Sequence, residues 1–402
     1  MSSRSRRWII VTLSFLVLAL AYSTRAAYSL IMPIWEQELG WSRSFTSGTV
    51  AIALLMMAIL APIGGRLVDR QGARIVILMG LAMLALGCLV VAMTSHPWAF
   101  FLAFGGVAAV GFGLIATHVV SAAVEQEFYE NKGLATGIAT SGATGGQLLI
   151  VPLIAVFLSE YSWRWAFVVL SIATVIMMVA IARWFPHGMK TNQDIGSTTD
   201  VEHTMVQDMR AIIKRPAFQI LFWSYFICGY TTSGVIETHF LPYASFCGFG
   251  PIPSAAAYGV LSTLNLVGMI VAGWLTDRVN RPLLLGSIYL IRGVTFIILI
   301  NVGTDLPTLM LFAAIFGLVD YSTVPVTASL IASHIGIRVM GLAFGLVSAG
   351  HQIGGALGAY FGGVLFDLYA LYDWVWWSSL WLAVFAGVLV FLLRDKPSAT
   401  SI

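Results

Sequence analysis

GGRLVDRQGAR, residues 64–74, places Arg66, Asp69, Arg70 and Arg74 in one tight stretch between two long apolar runs. A second stretch, AGWLTDRVNRP at residues 272–282, repeats its layout. Gly65, Leu67, Asp69 and Arg70 map onto Gly273, Leu275, Asp277 and Arg278, each displaced by 208 residues. The same displacement carries Gly133, Gly137, Gly142 and Gly146 onto Gly341, Gly345, Gly350 and Gly354. An internal repeat that long decides the fold class before any single residue does.

The solvent for most of the chain is not water. Of 402 residues, 59% are hydrophobic and 10% charged, with a mean hydropathy of +0.89; soluble domains carry about 25% charged residues. A bilayer-crossing helix needs about 20 apolar residues. Twelve such runs, numbered α1 to α12 in chain order, fall near 8–32, 46–66, 74–93, 98–121, 133–158, 163–185, 216–241, 253–275, 282–302, 306–331, 338–366 and 374–393. They are too long for barrel strands and must satisfy their own backbone hydrogen bonds in lipid, so they read as helices. The basic start SRSRRWIIVTLSFLVLALA reads as the first span rather than a cleaved leader, because its apolar run outlasts a leader's core.

Most of the 21 Lys and Arg fall at one set of loop ends when the N-terminus is placed in the cytoplasm. Only Arg43 and Arg164 fall outside, and Arg25 and Arg292 lie within spans. The positive-inside rule then puts both termini in the cytoplasm. The net charge of +3 reports these anchors and no nucleic-acid partner. The polar stretch 186–215 reads as a cytoplasmic linker between a first bundle, 1–185, and a second, 216–402. Cys88, Cys228 and Cys247 supply no disulfide framework. The chain carries no HExxH, GxSxG, P-loop or metal-spaced His and Cys cluster, so neither an enzyme, a metal nor a cofactor is expected.

GRLVDRQGAR resembles the loop signature between helices 2 and 3 of the major facilitator superfamily, and GWLTDRVNR its degenerate second copy. ELGWSRSFTS (38–47) and GLVSAGHQIGGALGAYFGG (345–363) resemble bacterial members of the monocarboxylate and oxalate–formate branch. The resemblance implies an all-α membrane protein of two pseudo-symmetric six-helix bundles that rock about a central site. It also implies a cytoplasmic gate made by Gly65, Asp69, Arg70, Gly72 and Arg74 with Gly273, Asp277 and Arg278. The Asp carboxylates suit a neighbouring helix N-terminus, and the arginines suit carboxylates across the interface. The second copy carries Asn280 where the first carries Gly72, so it is expected to be the weaker latch. The branch also implies an Asp and an Arg one turn apart on α8; the matching positions are Asn265 and Met269, so that couple is absent.

Ionisable groups at membrane depth are functional candidates. Tyr22 and Tyr28 stand three residues either side of Arg25 and are expected to share its helical side. Arg25 then either holds a small organic anion, pairs with Glu237 in an outer gate, or is structural. Arg292 and Asp320 are expected to form a buried pair with a structural or proton-coupling role. His351 and Gln352 replace Ala143 and Thr144 of the first repeat, an asymmetry that suggests substrate or proton contact. His118 and His239 are weaker candidates, His239 among the proton-coupling groups and Asn265 among the substrate-binding ones. The Gly350, Gly354, Gly358 and Gly362 row reads as a packing face. The function these residues support is secondary transport of a small organic anion, coupled to protons, by a monomer in the inner membrane. Efflux of an amphipathic compound is the alternative, and a non-transporting sensor the remaining one.

Overall fold

The apolar runs become helices because nothing else satisfies a backbone in lipid. The computed structural model describes residues 3–41, 43–128, 130–186, 204–249, 251–369 and 371–395. Unbroken spans are α1 (Ser3–Leu39), α2 (Arg43–Gln71), α3 (Ala73–Met93), α6 (Trp163–Trp184) and α8 (Pro251–Thr276). So are α9 (Arg281–Ile300), α11 (Met340–Tyr369) and α12 (Asp373–Phe391). The other four are interrupted. In α4 (Pro97–Glu127) a wide-turn π segment, Phe101–Ala108, precedes a break at Ile115 and Ala116. α5 joins Lys132–Thr140 to Gly142–Glu160, α7 joins Pro216–Gly229 to Glu237–Phe246 through a π segment at Tyr230–Ile236, and α10 joins Leu306–Val319 to Thr323–His334. Helix starts follow local chemistry: Asn280 and Asp305 cap α9 and α10 through the N–H groups of Leu283 at 2.9 Å and Thr308 at 3.0 Å.

Each contact in the first bundle has a mate in the second. α1 packs on α5 as α7 packs on α11; α3 on α6 as α9 on α12; α2 on α4 as α8 on α10. Between the bundles α2 packs on α11, and its mate is α8 on α5. One buried apolar cluster draws its members from residues 10–185, and two others from residues 212–393. Of the linker, 187–203 lies outside the described residues; Met205–Ile213 forms a short helix opened by a Thr204–Gln207 capping box.

Both inter-bundle seams close on glycine. A Cβ on Gly65 would strike the Gly341 backbone, and one on Gly341 would meet Gly65. The mate is Gly133 against Gly273. Glycine at these four places lets two helix backbones touch.

Candidate functional site

The gate motif forms as a pair of helix caps across the seams. The Asp69 carboxylate accepts the N–H groups of Gly341 at 2.9 Å and Leu342 at 2.8 Å, the first turn of α11. Asp277 accepts those of Gly133 at 2.9 Å and Leu134 at 3.0 Å, the first turn of α5. Free N–H groups and the helix dipole make each N-terminus a site for a carboxylate. The second copy is therefore no weaker in geometry than the first, contrary to expectation. Asn280 stands at the Gly72 position of the repeat, and the two residues perform different turns. Gly72 has φ of 84°, and Asn280 sits at −60° and caps α9 with its side chain.

Arg66 reaches the carboxylate of Asp208 on the linker helix. Arg74 donates to the Ala182 carbonyl at the end of α6, and Arg278 folds back over the ring and carbonyl of Trp274. Arg70 ends α2 as an exposed residue of its last turn.

Where the two bundles meet at mid-depth, a cavity opens. Its wall includes Tyr22 and Arg25 of α1, His118 of α4, Asp320 and Tyr321 of α10, and His351 and Gln352 of α11. The Arg25 guanidinium lies 4.8 Å from the Tyr22 ring centre. Among the described residues no carboxylate stands within 4.0 Å of it. The Glu237 carboxylate, exposed on α7, accepts the Tyr321 hydroxyl at 2.6 Å; it acts on Arg25 through space but does not close to ion-pair distance, the pairing that was one of the three alternatives for Arg25. His351 packs its ring 4.9 Å from that of Tyr225. His118 is buried with both ring nitrogens lacking a hydrogen bond.

Three further candidates lie off the cavity wall. Tyr28 is sealed in an aromatic cluster with Trp35, Phe100 and Phe104, its ring 4.2 Å from Phe104. The three-residue steps hid the reason: six residues from Tyr22 to Tyr28 rotate the side chain by about 120°. His239 is buried and braces α7 against α11 through the Ala359 carbonyl at 3.0 Å, in space left by Gly362. Asn265 stands behind the cavity, donating to Asp320 Oδ2 at 3.4 Å and accepting the Tyr321 N–H at 2.9 Å.

Arg292 is fully buried, and its role is broader than an ion pair. Asp320 Oδ1 lies 3.6 Å from Nη2, beyond a good hydrogen bond. The Nη2 group donates instead to the Val319 carbonyl at 3.1 Å and to the Asp320 carbonyl. These are the open carbonyls where α10 breaks. Nη1 donates to Cys228 Sγ at 3.0 Å and Thr231 Oγ1 at 3.2 Å. The Asp320 carboxylate is held by Thr232 Oγ1 at 2.5 Å and by Asn265. The cavity wall thus also contains Cys228, Thr232 and Tyr321, which the sequence did not single out. The π segment of α7 is a local structural signal beside them, since such segments gather at functional sites.

The comparisons with known proteins agree with the fold. The family model "Major Facilitator Superfamily" matches residues 14–336 and 270–402. The chain is 24% identical over 374 residues to the uncharacterized MFS-type transporter YcxA of Bacillus subtilis, covering 91% of this chain and 90% of that one. It is 24% identical over 363 residues to monocarboxylate transporter 13 of Rattus norvegicus, covering 90% and 82%. Among solved structures it resembles the E. coli fucose:proton symporter FucP, with a TM-score of 0.75 at 14% identity over 98% of this chain and all of that one. The human organic anion transporter MFSD10 gives a TM-score of 0.75 at 16% identity, over 97% of this chain and all of that one.

Proposed function

We propose, for a chain that belongs to the major facilitator superfamily, that it carries a small organic anion across the membrane together with protons by alternating access. The observation that carries this reading is Arg25, a cation on the cavity wall with no carboxylate in ion-pair reach among the described residues. A buried or half-buried charge needs a partner, and a substrate carboxylate supplies one. Monocarboxylate transporters among the relatives and an organic anion transporter among the structural neighbours support an anion. The polar wall of Arg25, His118, His351 and Asp320 favours it over an amphipathic efflux substrate.

The basic loop ends face the cytoplasm of a bacterial inner membrane, by the positive-inside rule. The two Asp-capped seams then form the inner gate, and the state described here is closed inward. Residues 1–185 and 216–402 are the two rocking bundles, and one chain is the working unit. Glu237 closes on Arg25 from the outer side once substrate has passed. Asp320 carries the coupled proton, and His351 hydrogen-bonds the substrate.

Uptake of labelled small carboxylates into proteoliposomes under an imposed pH gradient tests the reading. Arg25→Gln should lower apparent affinity about 10- to 100-fold, the value of a charge-assisted hydrogen bond. His351→Gln should keep part of the uptake, because its amide can still donate a hydrogen bond to the substrate, and His351→Ala should lose more of it. Uptake that is unaltered in Arg25→Gln removes the anion reading.

A further inference from the structure

Cys228 is the unexpected member of the cavity wall. Its sulfur receives Arg292 Nη1 at 3.0 Å and lies 3.4 Å from Thr323 Oγ1 and 3.9 Å from Thr232 Oγ1. A 3.0 Å approach of a guanidinium N–H to sulfur is close. The same guanidinium makes no comparably short bond to the Asp320 carboxylate, which stands 3.6 Å off and is occupied with Thr232 and Asn265. The cation thus aims its donor at the thiol sulfur and leaves the carboxylate to neutral partners.

The charges around this point are few. Facing Cys228 are Tyr225 of its own helix, Arg292 and Tyr289 of α9, and His351 of α11, whose ring lies beside the sulfur. Asp320 comes from α10, with Glu237 farther along α7, and Tyr22 and Arg25 approach from α1. Arg292, Cys228 and Asp320 are all nearly inaccessible. In so dry a place one guanidinium tolerates one anion; a second would be an uncompensated buried charge.

We propose that Cys228 is the resident thiolate counter-ion of Arg292, and that this leaves Asp320 free to be the carboxylic acid that takes up and gives back the transported proton. The step balances. An empty carrier holds Arg292 as the cation, Cys228 as the thiolate and Asp320 as the neutral acid. Asp320 passes its proton to water on the side of release and takes one from water on the side of loading, while the thiolate keeps Arg292 compensated throughout. Without the thiolate, Arg292 would hold Asp320 permanently ionised and end the exchange. The coupling half of the proposal rests on the transport reading above; the charge state of Cys228 does not.

Thiolate absorbance near 240 nm decides the charge state, read as the difference between the unaltered protein and Cys228→Ser in detergent. An ordinary thiol is about 0.3% ionised at pH 6, so one thiolate per chain at that pH is the expected result and its absence overturns the proposal. Should Cys228→Ser fail to fold, the alkylation rate of Cys228 by iodoacetamide, followed by mass spectrometry of its peptide, replaces it. A rate nearly flat from pH 6 to 8 supports the thiolate, and a rise of about tenfold per pH unit, as for a free thiol, overturns it. For coupling, acetate uptake by Cys228→Ala should no longer follow an imposed pH gradient, and Cys228→Asp should restore the response. A Cys228→Ala protein that still follows the gradient defeats the coupling role. If the unaltered protein takes up none of the carboxylates tested, the transport reading and its coupling fail together, while the spectrum still decides the thiolate.

Discussion

Arg292→Gln should cost about 3–5 kcal/mol of stability, as expected when one partner of a buried charged group is removed. The larger part of the loss belongs to the break in α10, where Nη2 serves the carbonyls of Val319 and Asp320. An open carbonyl at the end of a helix segment in a dry interior costs a full desolvation term. The double variant Arg292→Gln/Asp320→Asn should therefore recover little of the loss. Thermal unfolding of both proteins in detergent, monitored by tryptophan fluorescence, separates the cases. Recovery of most of the stability in the double variant would show that the side-chain ion pair, and not the helix break, is the main debt of this arginine. Unaltered stability in the single variant would remove both accounts.

Asp69→Asn and Asp277→Asn should each open the proposed inner gate. Each carboxylate holds two N–H groups of a helix that starts in the opposite bundle. Hydrogen bonds to a charged group contribute about 1.5–3 kcal/mol, which shifts an open-to-closed ratio roughly 10- to 150-fold. The two single variants should have similar effects, because the two caps have the same geometry, and the double variant should rest open inward. A cysteine placed at Ala61, where α2 faces Gly345 of α11, reports the change through its rate of labelling from the cytoplasmic side. Labelling that stays slow in the double variant would falsify the latch. A large effect for Asp69 alone would restore the unequal latch that the missing glycine of the second loop suggested.

The spans were legible because their length is set by the bilayer and their ends by charge. The first residues of α6, α7 and α9, for instance, fall within one residue of the expected starts. The repeat was legible because glycines that let backbones touch cannot drift. Gly65, Gly133, Gly273 and Gly341 all lie in seams. The interior of the site was less legible. Cys228 sits in an apolar run, FWSYFICGY, and nothing local says that an arginine 64 residues later will reach its sulfur. The breaks of α4 and α10 were hidden for a similar reason. Apolar composition continues through them, and only tertiary partners such as Arg292 make an open turn affordable. Tyr28 was misplaced by reading two three-residue steps as one face.

The two caps have one more property. Asp69 of the first repeat grips α11 of the second, and Asp277 of the second grips α5 of the first, through residues at the same displacement. Contacts in which each side offers the other the same residues are those of a two-fold homodimer. The seams by themselves ask for nothing more than two identical six-helix subunits. What a homodimer could not supply is the centre. Two identical subunits must place the same residue at both mated positions, so His351 would face a second histidine where Ala143 stands, and Arg292 would have a twin. Joining the subunits into one chain keeps the symmetric closure and lets the two sides of the cavity hold different groups, Arg25 and His118 on one and Asp320 and His351 on the other.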